Sequence, residues 1–223
     1  VRLLLCLLLA IATPAAATPR ETLINAAFAT PDKAQAIAKV ANAEQAAAAE
    51  LARDPRNREA TLQRAIAIGY RAQLTRTLGD AKTAKKMFDA LVAAEPGNPE
   101  MLMALAGWHL EAVADAGAML AGAMLGARKS VGLATLDRAV AAARNRSALI
   151  PAYAGMMRMR LSPKDIAAAR PLLEAALAAP APTPLDRIMQ RNARAMLVPL
   201  RAGNGKAASA LAKQLLPFGR LAG

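Results

Sequence analysis

The side chains with the widest chemical repertoire gather in one stretch: Trp108, His109, Glu111 and Asp115. A histidine beside carboxylates can move protons or hold a metal. On a helix, however, Glu111 lies about 200° around the axis from His109, and Asp115 falls about 120° short of two full turns. Neither shares the histidine's face, as a residue three or four positions away would. Glu111 and Asp115 do share a face, and a like-charge pair on a helix is expected to be solvated. No catalytic role is expected of any of the three.

The remaining motifs are no stronger. One histidine and one cysteine exclude a multi-histidine metal cluster, a cysteine-rich zinc site and an internal disulfide. Ser130, Ser147, Ser162 and Ser209 lack a Gly-x-Ser-x-Gly setting. Gly203-Asn204-Gly205-Lys206 looks like a phosphate loop, but it lacks the Walker spacing and a preceding strand, and suits a turn between helices. Tyr70 and Trp108 belong to a set of only six aromatics and are expected in the core, with the ten methionines filling gaps around them. No metal, cofactor or catalytic residue is predicted, so an enzyme is not the expected class.

Charge is the strongest surface signal. Lysine and arginine number 29 against 16 acidic residues, a formal net charge of +13. Arg187, Arg191 and Arg194 are spaced i, i+4, i+7, which lines up three guanidinium groups on one side of a helix. Such a stripe suits an acidic protein or peptide, or an anionic envelope surface. Nucleic acid is disfavoured, because no recognition motif is present and aromatic residues for base stacking are scarce.

The elements that must position these groups are helical. Alanine supplies 60 of the 223 residues, and no short window alternates like a half-buried strand. Proline, glycine and capping residues divide the chain into helices near 31–53, 58–78, 80–94, 99–125, 129–144, 150–161, 164–179, 185–200 and 205–216. Thr30-Pro31 is expected to start the first, and Gly79 to end the second. Gly122-x-x-x-Gly126 is expected to let two helices pack closely. Ahead of these, Arg2, the apolar run Leu3 to Ala12 and Ala15-Ala16-Ala17 have the order of a secretory signal peptide, cleaved after Ala17. The only other long apolar stretch, 101–126, carries His109, Glu111 and Asp115, which oppose a membrane span. The expected organisation is a signal peptide over 1–17, one helical domain over 18–223, and a periplasmic or secreted location.

Repetition gives the domain its expected shape. Asp54-Pro55-Arg56-Asn57 and Glu95-Pro96-Gly97-Asn98 each close an alanine-rich helix. Between them Ala84, Phe88, Leu91 and Pro96 follow the rhythm of small and large apolar residues before a terminal proline. That rhythm returns at Gly132, Leu136 and Ala139, and at Ala169, Leu173 and Ala176. The pattern resembles the second helix of the tetratricopeptide repeat. The resemblance implies an all-α, right-handed solenoid of antiparallel helical hairpins, with those residues at the packing seams and a concave face built from the first helices. It implies a scaffold or adaptor working through protein–protein contact. The alternative is a ligand-binding accessory of a periplasmic transport system, which would enclose a pocket around 117–130.

Overall fold

Helix boundaries follow local capping chemistry. The computed structural model describes residues 17–221, and all regular structure among them is helical. The elements are α1 (Pro19–Phe28), α2 (Lys33–Arg53), α3 (Arg58–Thr75), α4 (Leu78–Ala94), α5 (Pro99–Ala116), α6 (Ala118–Leu125), α7 (Lys129–Ala143), α8 (Leu149–Leu161), α9 (Ile166–Ala178), α10 (Pro184–Arg201) and α11 (Gly205–Leu215). Thr18 and Thr183 each form a capping box, with Glu21 and Asp186 respectively, followed by proline at the first helical position. Asn57, Asn98 and Asn204 accept backbone N–H groups at the starts of α3, α5 and α11. The expected leader lies outside the described residues, apart from Ala17.

Several boundaries differ from expectation. Helix α1 was not among the predicted elements. Asp32, rather than Thr30, caps α2, while Thr30 Oγ donates 3.0 Å to the Asn25 carbonyl near the end of α1. Helix α3 stops at Thr75, and Arg76 takes the left-handed conformation (φ 60°), so Gly79 lies inside α4. The corner is tied by Arg71 of α3, which donates to both oxygens of Asp80 in α4 (2.7 and 2.9 Å) and pairs with Glu44 of α2. The predicted helix over 99–125 is two, because Gly117 breaks it at φ 81°. Gly126, at φ 70°, ends α6 as its C-cap. The Gly122/Gly126 pair therefore terminates a helix instead of packing two together. Pro199 lies within α10, which continues to Arg201.

Pairing of helices close in the chain dominates the packing: α1 with α2, α2 with α3, α3 with α4, α5 with α7, and α8 with α9. Helix α6 is the inserted piece between the partners α5 and α7. Helix α8 is central to the second half, also meeting α5, α7, α10 and α11. Ala84, Phe88, Gly132, Leu136, Ala139, Ala169, Leu173 and Ala176 are all buried, whereas Pro96 is exposed in its turn. Two glycines permit close approach at these seams. A Cβ on Gly132 would lie 2.5 Å from Leu110 Cδ2, and one on Gly155 would lie 2.6 Å from Leu173 Cγ.

The two ends of the described chain meet. Arg20 of α1 donates to Glu59 on α3 (2.8 and 2.9 Å) and to Glu100 on α5 (2.6 Å). At the other end of α1, the Phe218 N–H donates 2.9 Å to the Ala27 carbonyl. The Phe218 ring then stands edge-on to Tyr70 of α3, with centroids 4.8 Å apart. The segment after α11 is thereby held against both α1 and α3. No helix among the described residues is long and apolar enough to cross a membrane.

Candidate functional site

A cavity of about 320 Å³ opens between α3, α4 and α5, with Leu125 of α6, Tyr153 of α8 and Pro217 completing its wall. Its lining is mostly apolar and includes four aromatic rings, Tyr70, Phe88, Trp108 and Tyr153. Tyr70 and Trp108, expected in the core, are half-buried cavity residues instead. Each is locked from behind. The Trp108 indole N–H donates 2.8 Å to the Ala81 carbonyl, the Lys85 ammonium sits 5.5 Å from its ring centroid, and Phe218 braces Tyr70.

Tyr153 reaches the cavity only because residue 107 is glycine: a Cβ there would lie 2.7 Å from the phenol oxygen. Burial, and then the nearby Glu111 carboxylate, push the Tyr70 and Tyr153 phenols above their ordinary range. Among the described residues neither hydroxyl has a hydrogen-bond partner, so both retain their capacity for one.

Glu111 and Asp115 form the polar wall, and the expectation that they are solvated is corrected. Their side chains are only 18% and 20% exposed, because Arg160 of α8, itself 9% exposed, covers them. Its guanidinium lies 3.1 Å from Glu111 Oε2 and 2.5 Å from Asp115 Oδ1, and Arg76 reaches Asp115 at 3.3 Å from the rim. The Glu111 contact is close but poorly aligned, leaving Oε2 without a hydrogen bond. Burial pushes the Glu111 pKa up to about 7, with Arg160 opposing and Asp115 adding to the rise. Two acids and two guanidinium groups thus balance formally around this wall.

His109 faces elsewhere. It is buried, and its Nδ1 accepts the Arg128 backbone N–H at 3.2 Å, tying α5 to the start of α7. Burial and the positive charges of Lys85 and Arg128 push its pKa down to about 4, against a smaller opposing effect of Asp89. The ring is therefore neutral near pH 7 and serves as an acceptor. Among the described residues no group of three or more His, Cys, Asp or Glu side chains could hold a metal.

The arginine stripe is on the surface and apart from this cavity. Arg187, Arg191 and Arg194 are exposed on α10, and none forms an ion pair among the described residues. Arg187 donates 3.0 Å to the Pro182 carbonyl and so braces the connector before its own helix. Arg191 borders a second, more polar groove between α10, α1 and residues 214–220.

Sequence reasoning missed Gly107, Tyr153, Arg76 and Arg160, which come from two helices and a connector. One signal was available: Ala104, Trp108, Glu111 and Asp115 recur at i, i+4, i+7 and i+11, and all four line the cavity. Measuring the carboxylates against His109 instead of Trp108 hid it. At the cavity's edge Leu78 is 41% exposed, and the neighbouring α6 exposes Met119 (87%), Leu120 (49%) and Met124 (43%).

No protein-family model matches the chain, and no curated protein matches it.

Proposed function

We propose that the chain is an exported, tetratricopeptide-like binding protein whose cavity holds one small, largely apolar molecule. On this reading it is a right-handed solenoid of helical hairpins, serving an envelope transport system as a ligand-binding accessory without transforming its ligand. The observation that carries the reading is the cavity itself. Four aromatic side chains from four helices converge on about 320 Å³ of space, at the lower end of small-molecule sites, and each helix also contributes to a packed seam elsewhere. The accessory reading called for a pocket around 117–130; of that stretch only Leu125 borders this cavity, which opens between α3, α4 and α5 instead.

The chain carries a single tryptophan, Trp108, and that residue lines the cavity. Titration with an environment-sensitive apolar dye should change Trp108 emission and saturate at one dye per chain. Ala112→Leu, placed in the lining, should abolish the response while circular dichroism stays the same. A wild-type protein that neither changes emission nor retains the dye would refute the reading. Export is tested separately: the product collected outside the cytoplasm should begin at Thr18, and an intact mass retaining residues 1–17 would refute it.

A second reading, a scaffold for an acidic protein, is favoured by the exposed stripe of Arg187, Arg191 and Arg194. Against it, none of the three arginines lines the cavity. Crosslinking in the native envelope, with all three arginines changed to glutamine as the control, separates the two. Capture that weakens with salt and is lost in the triple variant belongs to the stripe.

A further inference from the structure

We propose that α6 is a docking face that lays the protein on an anionic lipid surface. The inference is independent of what fills the cavity, and it concerns a different part of the molecule from the arginine stripe of α10.

Composition is the first observation. Residues 116–127 are all alanine, glycine, methionine or leucine, so α6 is apolar on every side. A helix apolar all round is ordinarily buried, in a protein core or in lipid. Here the fold buries only one side. Successive residues turn by about 100°, which places Met119, Leu120, Ala123 and Met124 within an arc of about 140°. All four are exposed, and Met119 keeps 87% of its surface. On the other side Ala121 packs with Val113 of α5, and Leu125 lines the cavity. The helix is about 12 Å long, too short to cross a bilayer but suited to lying in its interface.

Charge decides what lies opposite. No acidic residue occurs from 116 through 136, and Arg128 and Lys129 follow the apolar run directly. Helix α4 packs against α6 and adds the exposed Lys82 and Lys86. Local contacts hold these elements around one point. The Arg128 N–H donates 3.2 Å to His109, whose ring stands edge-on to Trp108 at 5.0 Å, and Lys85 of α4 lies over Trp108. None of Lys82, Lys86, Arg128 and Lys129 is in an ion pair among the described residues. The acids of the surrounding elements are engaged: Glu111 and Asp115 by Arg160, Asp80 by Arg71, Asp89 by Lys85 and Asp137 by Arg158.

An exposed apolar face is thus left beside surplus positive charge, the combination that an anionic lipid surface attracts. A second copy of the chain would instead set the same cations against one another across a two-fold interface. A side chain as prominent as Met119 also suits a fluid interface, which needs no shaped pocket opposite it. Leu78 and Leu125 line the cavity, so docking sets the cavity's edge against lipid.

Vesicle flotation of the exported product tests this, with phosphatidylcholine alone and with about one-third phosphatidylglycerol added. The protein should float with the mixed vesicles, release them as salt rises, and bind pure phosphatidylcholine about tenfold or more weakly. Changing Met119, Leu120 and Met124 together to serine should weaken mixed-vesicle binding about tenfold or more, with circular dichroism unchanged. Met119→Ser alone, at the most exposed position, should weaken it severalfold and guards against a folding defect in the triple variant. Arg128→Gln with Lys129→Gln should cost about fivefold or more. Wild-type protein that stays in solution beside the mixed vesicles overturns the proposal. Binding that survives the serine changes but is lost when Arg187, Arg191 and Arg194 become glutamine also overturns it, and assigns lipid contact to α10. Equal binding to both vesicles would leave the cations without a role, and a dimer abolished by the serine changes would make α6 a self-association face; each overturns it. A cavity that takes up no dye alters none of these outcomes.

Discussion

Helices α8 and α4 differ in residues and end up in opposite circumstances: α8 carries two charged side chains, Arg158 and Arg160, whereas α4 carries Asp80, Lys82, Lys85, Lys86 and Asp89. In α8, ten of 13 residues are buried, from Leu149 through Met159, and neighbours close on every side. In α4, three of 17 are buried: Ala84, Phe88 and Leu91. Those charges keep one face of α4 in solvent, and the material around the two helices adds to the difference. Met156, Met157, Met159, Met189 and Met196 are flexible and unbranched, and in the second half they fill the gaps that alanine leaves, to full burial. Around α3, α4 and α5 the core is also aliphatic, with Leu62, Ile68, Leu91, Met101 and Leu105 buried, but the cavity itself is bordered by aromatic rings. Trp108, held by the Ala81 carbonyl, and Tyr70, braced by Phe218, border a void with Phe88 that they do not collapse into. Flexible methionines close the second half, whereas the held rings of Trp108 and Tyr70 keep a space open in the first.

The largest test of this contrast is Leu173→Ala. Leu173 is fully buried against Gly155, so truncation should cost about 2–5 kcal/mol, read as a lower denaturant midpoint at unchanged slope. A cost well under about 1 kcal/mol would mean that this half repacks as freely as the cavity wall.

Next in size is a pH effect on the two buried titratable groups. His109 is lowered to about 4 from 6.5, so the unfolded chain binds more protons between those values and stability rises with pH across them. Glu111 is raised to about 7 from 4.5, so the folded chain binds more protons there and stability falls as pH rises. Over their overlap, about pH 4.5 to 6.5, the wild-type stability should be nearly level, because the two slopes oppose. Glu111→Gln removes one slope, and that variant should gain on the order of 3 kcal/mol as pH rises from about 4 to 6.5. A level profile in the variant would refute the opposing pair.

The two smaller effects form a matched pair with opposite signs. Ala84 is wholly buried where α4 meets α3, and Ala84→Leu should destabilise by about 1–3 kcal/mol through overpacking. Ala112 lines the void, and Ala112→Leu should raise stability by about 0.5–1 kcal/mol by filling it. Thermal unfolding of both variants checks the pair. Equal destabilisation would mean that the cavity wall is as tightly packed as the seam.

Much of the framework was legible locally. Asn98 with Pro99 starts α5, Thr183 with Pro184 starts α10, and the small-large rhythm falls on buried residues at Ala84 and Phe88, Gly132 and Leu136, and Ala169 and Leu173. Such signals are readable because a cap or a seam residue acts within a turn or two of itself. The misplaced end of α3 has the opposite origin. Leu78-Gly79 looked like a terminus, but Arg71 joins Glu44 on one neighbour to Asp80 on the other, and that tie moves the corner upstream.

The sequence by itself determined the helical class, the capping and most of the buried seams, since propensity, proline and periodicity are properties of neighbouring residues. Tertiary structure alone decided the site. Tyr70, Trp108, Tyr153 and Arg160 come from α3, α5 and α8, and nothing in any one helix encodes that a glycine at 107 admits the Tyr153 hydroxyl or that Arg160 covers Glu111 and Asp115. The helix face carrying Trp108, Glu111 and Asp115 was visible in the chain. Whether that face met water, a packed partner or an empty space depended on the shapes brought against it, and helix pairing across long sequence separations sets those shapes.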